Sequence, residues 1–310
     1  MSVLTSIIDR SISGSFSSDM FFNIRGGTFR YCKNLTSVSF PNAIGIGNEA
    51  FILCENLTEV FIPKATSIGY NAFTYCDSLT SVSFPEVTSI GSEAFYPCRS
   101  LTEASFPEVT SIGQSAFTDC GKLTSTSFPK VTSIGSDAFN GCSSLTSASF
   151  PNVTSLSSGA FNGCKGLTEV SFPAITNIGT QSFQSCTSLT SVSFPEVTSM
   201  GWLAFNSCSN LTSVSLPKVT SIGTWAFQNC SSLTSISFPK VSSIGSGAFT
   251  GCSSLTTIYV GTESDTVCTL SSTDAIPSSV TDIYVPSSLV DRYKSATNWS
   301  RFASKIKATP

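Results

Sequence analysis

The chain has 310 residues, 40% of them hydrophobic and 11% charged, with a net charge of −3 and no histidine. This composition describes a folded protein with a neutral, hydroxyl-rich surface; it offers no basic stripe to a phosphate backbone, so nucleic acid is not an expected partner. Without histidine, Ser-His-Asp and Cys-His chemistry is excluded, and no run of 18 apolar residues is present to insert into a membrane.

Residues 1–27 read as an N-terminal cap. Leu4, Ile7, Ile8 and Ile12 have helical spacing opened by Ser2, and Phe16, Phe21 and Phe22 supply apolar cover for the open end of the first coil. Met1–Arg10 has neither the cationic leader nor the apolar core of a signal peptide. Two export routes are expected from this: a leader already removed, or departure from the cell as part of a virion.

From Thr28 to Gly261 the sequence repeats every 22 residues through eleven rungs. Leucine recurs from Leu35 to Leu255, cysteine from Cys32 to Cys252, and proline from Pro41 to Pro239 at that step. A fixed period in the twenties indicates a solenoid, whose single rung cannot cover its own apolar side chains and whose stacked rungs turn repeated positions into internal columns. In the rung beginning at Leu79, L-x-x-V-x-F (Leu79, Val82, Phe84) reads as a short strand with Ser81 and Ser83 facing out. Pro85 has no N–H for a sheet and ends it. Val87 to Gly91 is a second extended piece closed by a glycine, where a positive φ at the corner is expected. Ala94, Phe95 and Cys98 then have the spacing of one helical turn on the outer side.

Nineteen of the 24 phenylalanines fall in two ladders of this repeat. The threonine after each leucine is expected to hydrogen-bond along its column. Eleven cysteines share one column with parallel Cβ vectors, a geometry that favours buried free thiols over disulfides, and no C-x-x-C pair or histidine points to a metal. The twelfth, Cys268, lies outside it and is read as a buried cap residue, with an exposed reactive thiol as the alternative. After each proline, Lys64/Glu86, Glu108/Lys130 and Glu196/Lys218 are expected as exposed ladder pairs.

Beyond Gly261 the register breaks, and Val280 to Pro286 restores the strand pattern 25 residues after Leu255. Ser288 and Asp291 have capping-box spacing for a helix, and Trp299, Phe302 and Ile306 suit a second one; residues 262–310 thus form a C-terminal cap that continues a single domain.

The L-x-x-V-x-F-P, I-G-x-x-A-F and C-x-x-L signatures resemble the BspA-like bacterial leucine-rich repeats over Thr28 to Gly261, and Ile283 to Ser300 is similar to segments that come after such repeats in gut bacteria and their phages. Departures are small: Leu156-Ser157 replaces I-G, and Ser182 replaces the alanine before Phe183. The expected fold is an α/β leucine-rich-repeat solenoid, a right-handed coil with a parallel sheet on the inner face and short helical turns on the outer side. The resemblance implies a surface-exposed recognition module, in adhesion or host contact, with no catalytic residues to transfer and no cofactor.

Candidate contact residues are those that depart from the bland repeat. On the strand face Glu59, Glu103 and Glu169 replace outward serines, and Phe61, Tyr259 and Tyr284 share one outward position. On the outer side Trp202, Leu203 and Trp225 fall between glycine and A-F, and Tyr70, Tyr75 and Tyr96 cluster nearer the N-terminus. Large exposed rings have an energetic reason to be contacts. The expected partner is a protein or glycan on another cell or host surface, with protein contact at Trp202/Trp225 and sugar stacking on Tyr259/Tyr284. Three alternatives stand beside it: a carbohydrate-active enzyme using Glu59 and Glu103, a purely structural solenoid, and an ice-binding-like use of the outward serine grid.

Overall fold

A repeat of this kind folds by laying each coil's backbone against the next. The computed structural model describes residues 11–20 and 22–310, and the chain divides into two compact units between Val153 and Thr154. The helical reading of Leu4, Ile7 and Ile8, and Phe21 of the cap, lie outside the described residues.

In the first unit the strand side consists of Gly14–Ser17, Leu35–Ser39 and Glu59–Phe61 in one parallel sheet, and Ser81–Ser83, Glu103–Ser105 and Ser125–Ser127 in another. Register follows the repeat, with Ser37 opposite Glu59 and Ser81 opposite Glu103. Val38, Val82 and Ala104 point inward and are buried, while Ser81 and Ser83 are exposed, as alternation requires. Gly14–Ser17 sets Phe16 opposite Val38, so coil spacing reaches upstream of Thr28; the Phe16 ring packs 5.3 Å from Phe29. A third parallel sheet joins Ser67–Ile68, Ser89–Ile90, Ser111–Ile112 and Ser133–Ile134, whose isoleucines are all buried.

The outer segment differs from the expected helical turn. No helix occurs in the described coils; two residues after each glycine and two after many of the phenylalanines, the backbone is left-handed, as at Asn71 (φ 54) and Tyr75 (φ 59). These reversals turn alternate N–H groups along the stack. Asn71 N donates to Ser92 O (3.0 Å), Phe73 N to Ala94 O (2.7 Å) and Tyr75 N to Tyr96 O (3.1 Å). A continuous helical turn would instead keep those donors inside its own coil, and the stack would lose a ladder.

The glycine expectation changes with it. Gly91 is not left-handed; a Cβ there would lie 2.6 Å from Gly69 C and 2.7 Å from Tyr70 N, and Gly69, Gly113 and Gly135 meet neighbouring backbone equally closely. This glycine column lies where adjacent coils touch, so a Cβ on these glycines would require neighbouring backbone to shift; between Gly135 and Gly179 the column position is Ser157.

Between coils the interior is ordered by like residues. The rings of Phe51, Phe73 and Phe95 stack 5.1 and 5.2 Å apart at 6°, a parallel offset arrangement. Threonine hydroxyls do bond along their column, as from Thr102 Oγ1 to Thr80 O (3.0 Å). None of the twelve cysteines forms a disulfide, and all are buried. Their thiols do more than fill space: Cys98 Sγ donates to Phe73 O of the preceding coil (3.2 Å), and the same bond recurs at Cys54, Cys76, Cys120, Cys186, Cys208, Cys230 and Cys252. A membrane-impermeant thiol reagent is therefore expected to modify no cysteine of the native protein and all twelve after denaturation; a fast-reacting native thiol would contradict the buried column.

In the second unit the corresponding sheet runs unbroken through Ser155–Leu156, Asn177–Ile178, Ser199–Met200, Ser221–Ile222, Ser243–Ile244 and Thr269–Leu270. On the strand side Ser235–Phe238, Thr257–Val260, Asp282–Val285 and Ile306–Ala308 form one sheet. Asp282–Val285 is the strand expected after the long loop. Ile306, expected in a helix, is instead in the last strand, opposite Ile283. The helix Val290–Ser295 has Leu289 at its N-cap without a side-chain bond, so Ser288, inside a 3-10 turn, makes no capping box. What holds this cap is its core. Tyr293 and Trp299 pack edge to face at 5.3 Å; Tyr293 Oη accepts from Cys268 N (2.8 Å), and Trp299 Nε1 donates to Cys268 O (2.7 Å). Cys268 is thereby buried in the cap.

Candidate recognition surfaces

Alternation along Glu59–Phe61 sends Val60 inward and Glu59 and Phe61 out. Phe61 is 56% exposed, a large ring in solvent at an outward position that Ser39 and Ser83 hold in the neighbouring coils. Here the strand side opens. Glu59–Phe61 and Ser81–Ser83 belong to different sheets, and Val60 is only half-buried where Val38 and Val82 are covered. The same coincidence of sheet end and half-buried inward residue recurs at Thr126, Val170 and Val214. At the first opening lies a groove of about 590 Å³, lined by Glu59, Phe61, Ser81, Ser83 and Glu103 among others. Three of the sequence candidates, Glu59, Phe61 and Glu103, are thus brought together.

Both glutamates are exposed, and among the described residues no ion pair engages either. The groove lining contains no lysine or arginine. Some acids elsewhere are matched: Lys130 reaches Glu108 and Lys218 reaches Glu196, each at 2.6 Å. The third expected pair does not form, because Lys64 Nζ donates to Asn42 Oδ1 of the preceding coil (3.0 Å). Glu169 is exposed on a strand of the second unit, apart from this groove.

The tyrosine candidates separate. Tyr259 and Tyr284 stack on each other at 4.9 Å and 15°, so their facing surfaces are closed to a sugar; Tyr284 lies opposite Lys307, which pairs with Asp282. Tyr75 and Tyr96 sit 6.1 Å apart, with the Arg99 guanidinium 5.5 Å above Tyr75 and paired to Asp77 at 2.6 Å. Tyr70 is exposed nearby in the chain.

The outer segments of the second unit carry Trp202, 63% exposed, and Trp225, 43% exposed. Leu203 (φ 56) and Trp225 (φ 55) occupy the left-handed position, which costs a bulky residue about 1–2 kcal/mol. Sequence reading missed what runs beside them. Gln181 Nε2 donates to Gln184 Oε1 (2.8 Å), Gln184 Nε2 to Asn206 Oδ1 (3.3 Å), and Asn206 Nδ2 to Gln228 Oε1 (2.8 Å). The signal was present as amides at Gln184, Asn206 and Gln228, each directly after the phenylalanine of its rung.

Among the described residues no three His, Cys, Asp or Glu side chains are placed to share a metal ion, and no helix is long and apolar enough to cross a membrane.

Comparison with known proteins gives one family match and several structural ones. The family model for the BspA type leucine rich repeat region (6 copies) matches residues 22–146, 66–190, 110–218 and 154–271. No curated protein matches the chain. A leucine-rich repeat protein from Bacteroides ovatus is 25% identical, with 94% of this chain and 88% of that one covered and a TM-score of 0.57. A leucine rich cell surface protein from Faecalibacterium prausnitzii is also 25% identical, over 96% and 79% of the two chains, at a TM-score of 0.52.

Proposed function

Since the chain belongs to the BspA-type leucine-rich repeat family, we propose that it is a non-catalytic recognition scaffold displayed on a cell surface, and that it binds a protein partner through a basic segment laid in the Glu59–Phe61–Glu103 groove. The observation that carries this reading is the groove itself: an exposed phenylalanine flanked by two carboxylates that no cation among the described residues pairs with. A lysine or arginine entering it meets both charges and the face of Phe61, an arrangement that favours a cation over a neutral or acidic ligand. The cell-surface relative from Faecalibacterium prausnitzii supports display outside the cell.

Binding of a fluorescent oligo-arginine peptide, with oligo-glutamate of equal length as control, tests it. Phe61→Ala, or Glu59→Gln with Glu103→Gln, is expected to weaken the arginine peptide about tenfold, roughly the 1.4 kcal/mol of one desolvated cation–π or charge contact. Equal affinity of the variants, or of the two peptides, would overturn the groove assignment. The carbohydrate-active alternative requires turnover of an oligosaccharide that the double Gln variant loses. It draws no support from an open groove, where water reaches both carboxylates.

A further inference from the structure

We propose that the outer turns of the second unit, from Gly179 to Gly247, form a separate binding surface for a neutral saccharide. The residue pattern suggests a protein contact at Trp202 and Trp225; their surroundings point to sugar. A saccharide ring offers an apolar C–H face and a rim of hydroxyls, each both donor and acceptor. It is matched by an exposed aromatic ring beside ordered groups that donate and accept without charge.

Both parts are present. Trp202 and Trp225 are exposed in adjacent coils. Trp225 holds a left-handed position that other coils fill with residues as different as Gly247, Ser115, Glu93 and Leu203; a bulky aromatic there is strained, and its ring stays 43% exposed. The next coil accommodates it: a Cβ on Gly247 would fall on Cδ1 and Nε1 of the indole, so the ring lies against the bare Gly247 backbone with the rest of it in solvent. The amide ladder is continuous with these rings, because Asn206 N donates to Leu203 O and Gln228 N to Trp225 O (both 3.1 Å). Asn206 is 6% exposed and fixed on both sides, which orients the half-exposed Gln184 and Gln228 amides in advance of any ligand.

Charge decides the class of partner. From Gly179 to Gly247 the only ionisable side chains other than cysteine are Glu196, Lys218 and Lys240, each placed after a proline and away from these turns; Glu196 and Lys218 neutralise each other. The nearest carboxylate in the following coil, Asp274, is held by Gly247 N and Ser246 Oγ, both at 3.2 Å. An acidic polysaccharide or a basic peptide finds no complement here. A neutral glycan needs none.

The test uses the intact chain and immobilised oligosaccharides: neutral α- and β-linked glucans, mannans and galactans, with hyaluronan and heparin as acidic controls. At least one neutral glycan is expected to bind with an affinity insensitive to added salt and to shift the tryptophan emission, since Trp299 is buried and only Trp202 and Trp225 can report. Trp202→Ala and Gln228→Ala are each expected to weaken it about tenfold or more, whereas Phe61→Ala, in the other unit, leaves it unchanged. Binding confined to acidic glycans, no binding across the neutral panel, or capture that survives Trp202→Ala with Trp225→Ala would overturn the assignment, the last outcome placing any contact elsewhere. The oligo-arginine result stands or falls separately, on different residues.

Discussion

Raising the pH of the reduced protein is expected to unfold it steeply between about pH 9 and 11, well before its backbone chemistry suffers. Burial pushes up the thiols of Cys54, Cys76, Cys98 and Cys120 in the first unit and of Cys186, Cys208 and Cys268 in the second. Cys230 is raised first by its hydrogen bond with Cys252 and then by burial. For Cys120, Cys208 and Cys268 the value reaches about 12. The folded pKa lies above the unfolded one, so this stability is fully present below the ordinary thiol value of about 8.5 and is lost as pH rises toward the folded value, because only the unfolded chain releases the proton. Each thiol contributes up to about 1.4 kcal/mol per pH unit in that window, so four per unit give a slope of roughly 5 kcal/mol, against a total stability of about 5–15 kcal/mol. Burial raises Tyr293 to about 12 as well, with the same sign. Denaturant midpoints measured at increasing pH with a phosphine reductant under nitrogen check this. A midpoint that holds constant to about pH 10.5 would mean the thiols ionise in place and are not desolvated as the column requires.

Gly91→Ala is expected to cost about 3 kcal/mol or more, at the upper end of what overpacking does, because its methyl would be driven into Gly69 and Tyr70 backbone that cannot rotate away. Gly121→Ala provides the contrast. The nearest atom to a Cβ there is Ser143 Oγ at 3.5 Å, ordinary contact, and its backbone is not left-handed; the change should stay within about 0.5 kcal/mol of wild type. Thermal melts of the two variants decide it. A loss for Gly91→Ala no larger than for Gly121→Ala would contradict the close backbone contact at Gly91.

These two experiments mark where sequence reading was sufficient and where it was not. The outward placement of Glu59, Phe61 and Glu103 was legible from alternation, since a strand can send its side chains only to two faces. That they share a groove was not, because it depends on the sheet ending between Glu59–Phe61 and Ser81–Ser83, an event with no residue signature in the L-x-x-V-x-F pattern. The pairing of Lys130 with Glu108 was legible. The preference of Lys64 for Asn42 was not, since the lysine stem reaches either neighbouring coil and local geometry chooses.

The chain's own residues determine the stack: phenylalanine, cysteine, leucine and threonine at a constant 22-residue interval have a purpose only if each meets its copy in the next coil, which makes columns unavoidable. Tertiary structure alone decides how closely the coils approach and which way each N–H points. It thereby produces the bare glycine contacts, the left-handed outer turns, the half-open strand face and the seat of Trp225 on Gly247. Side-chain identity repeats along the sequence, but distances between neighbouring backbones and the directions of their hydrogen bonds arise only once the coils are packed.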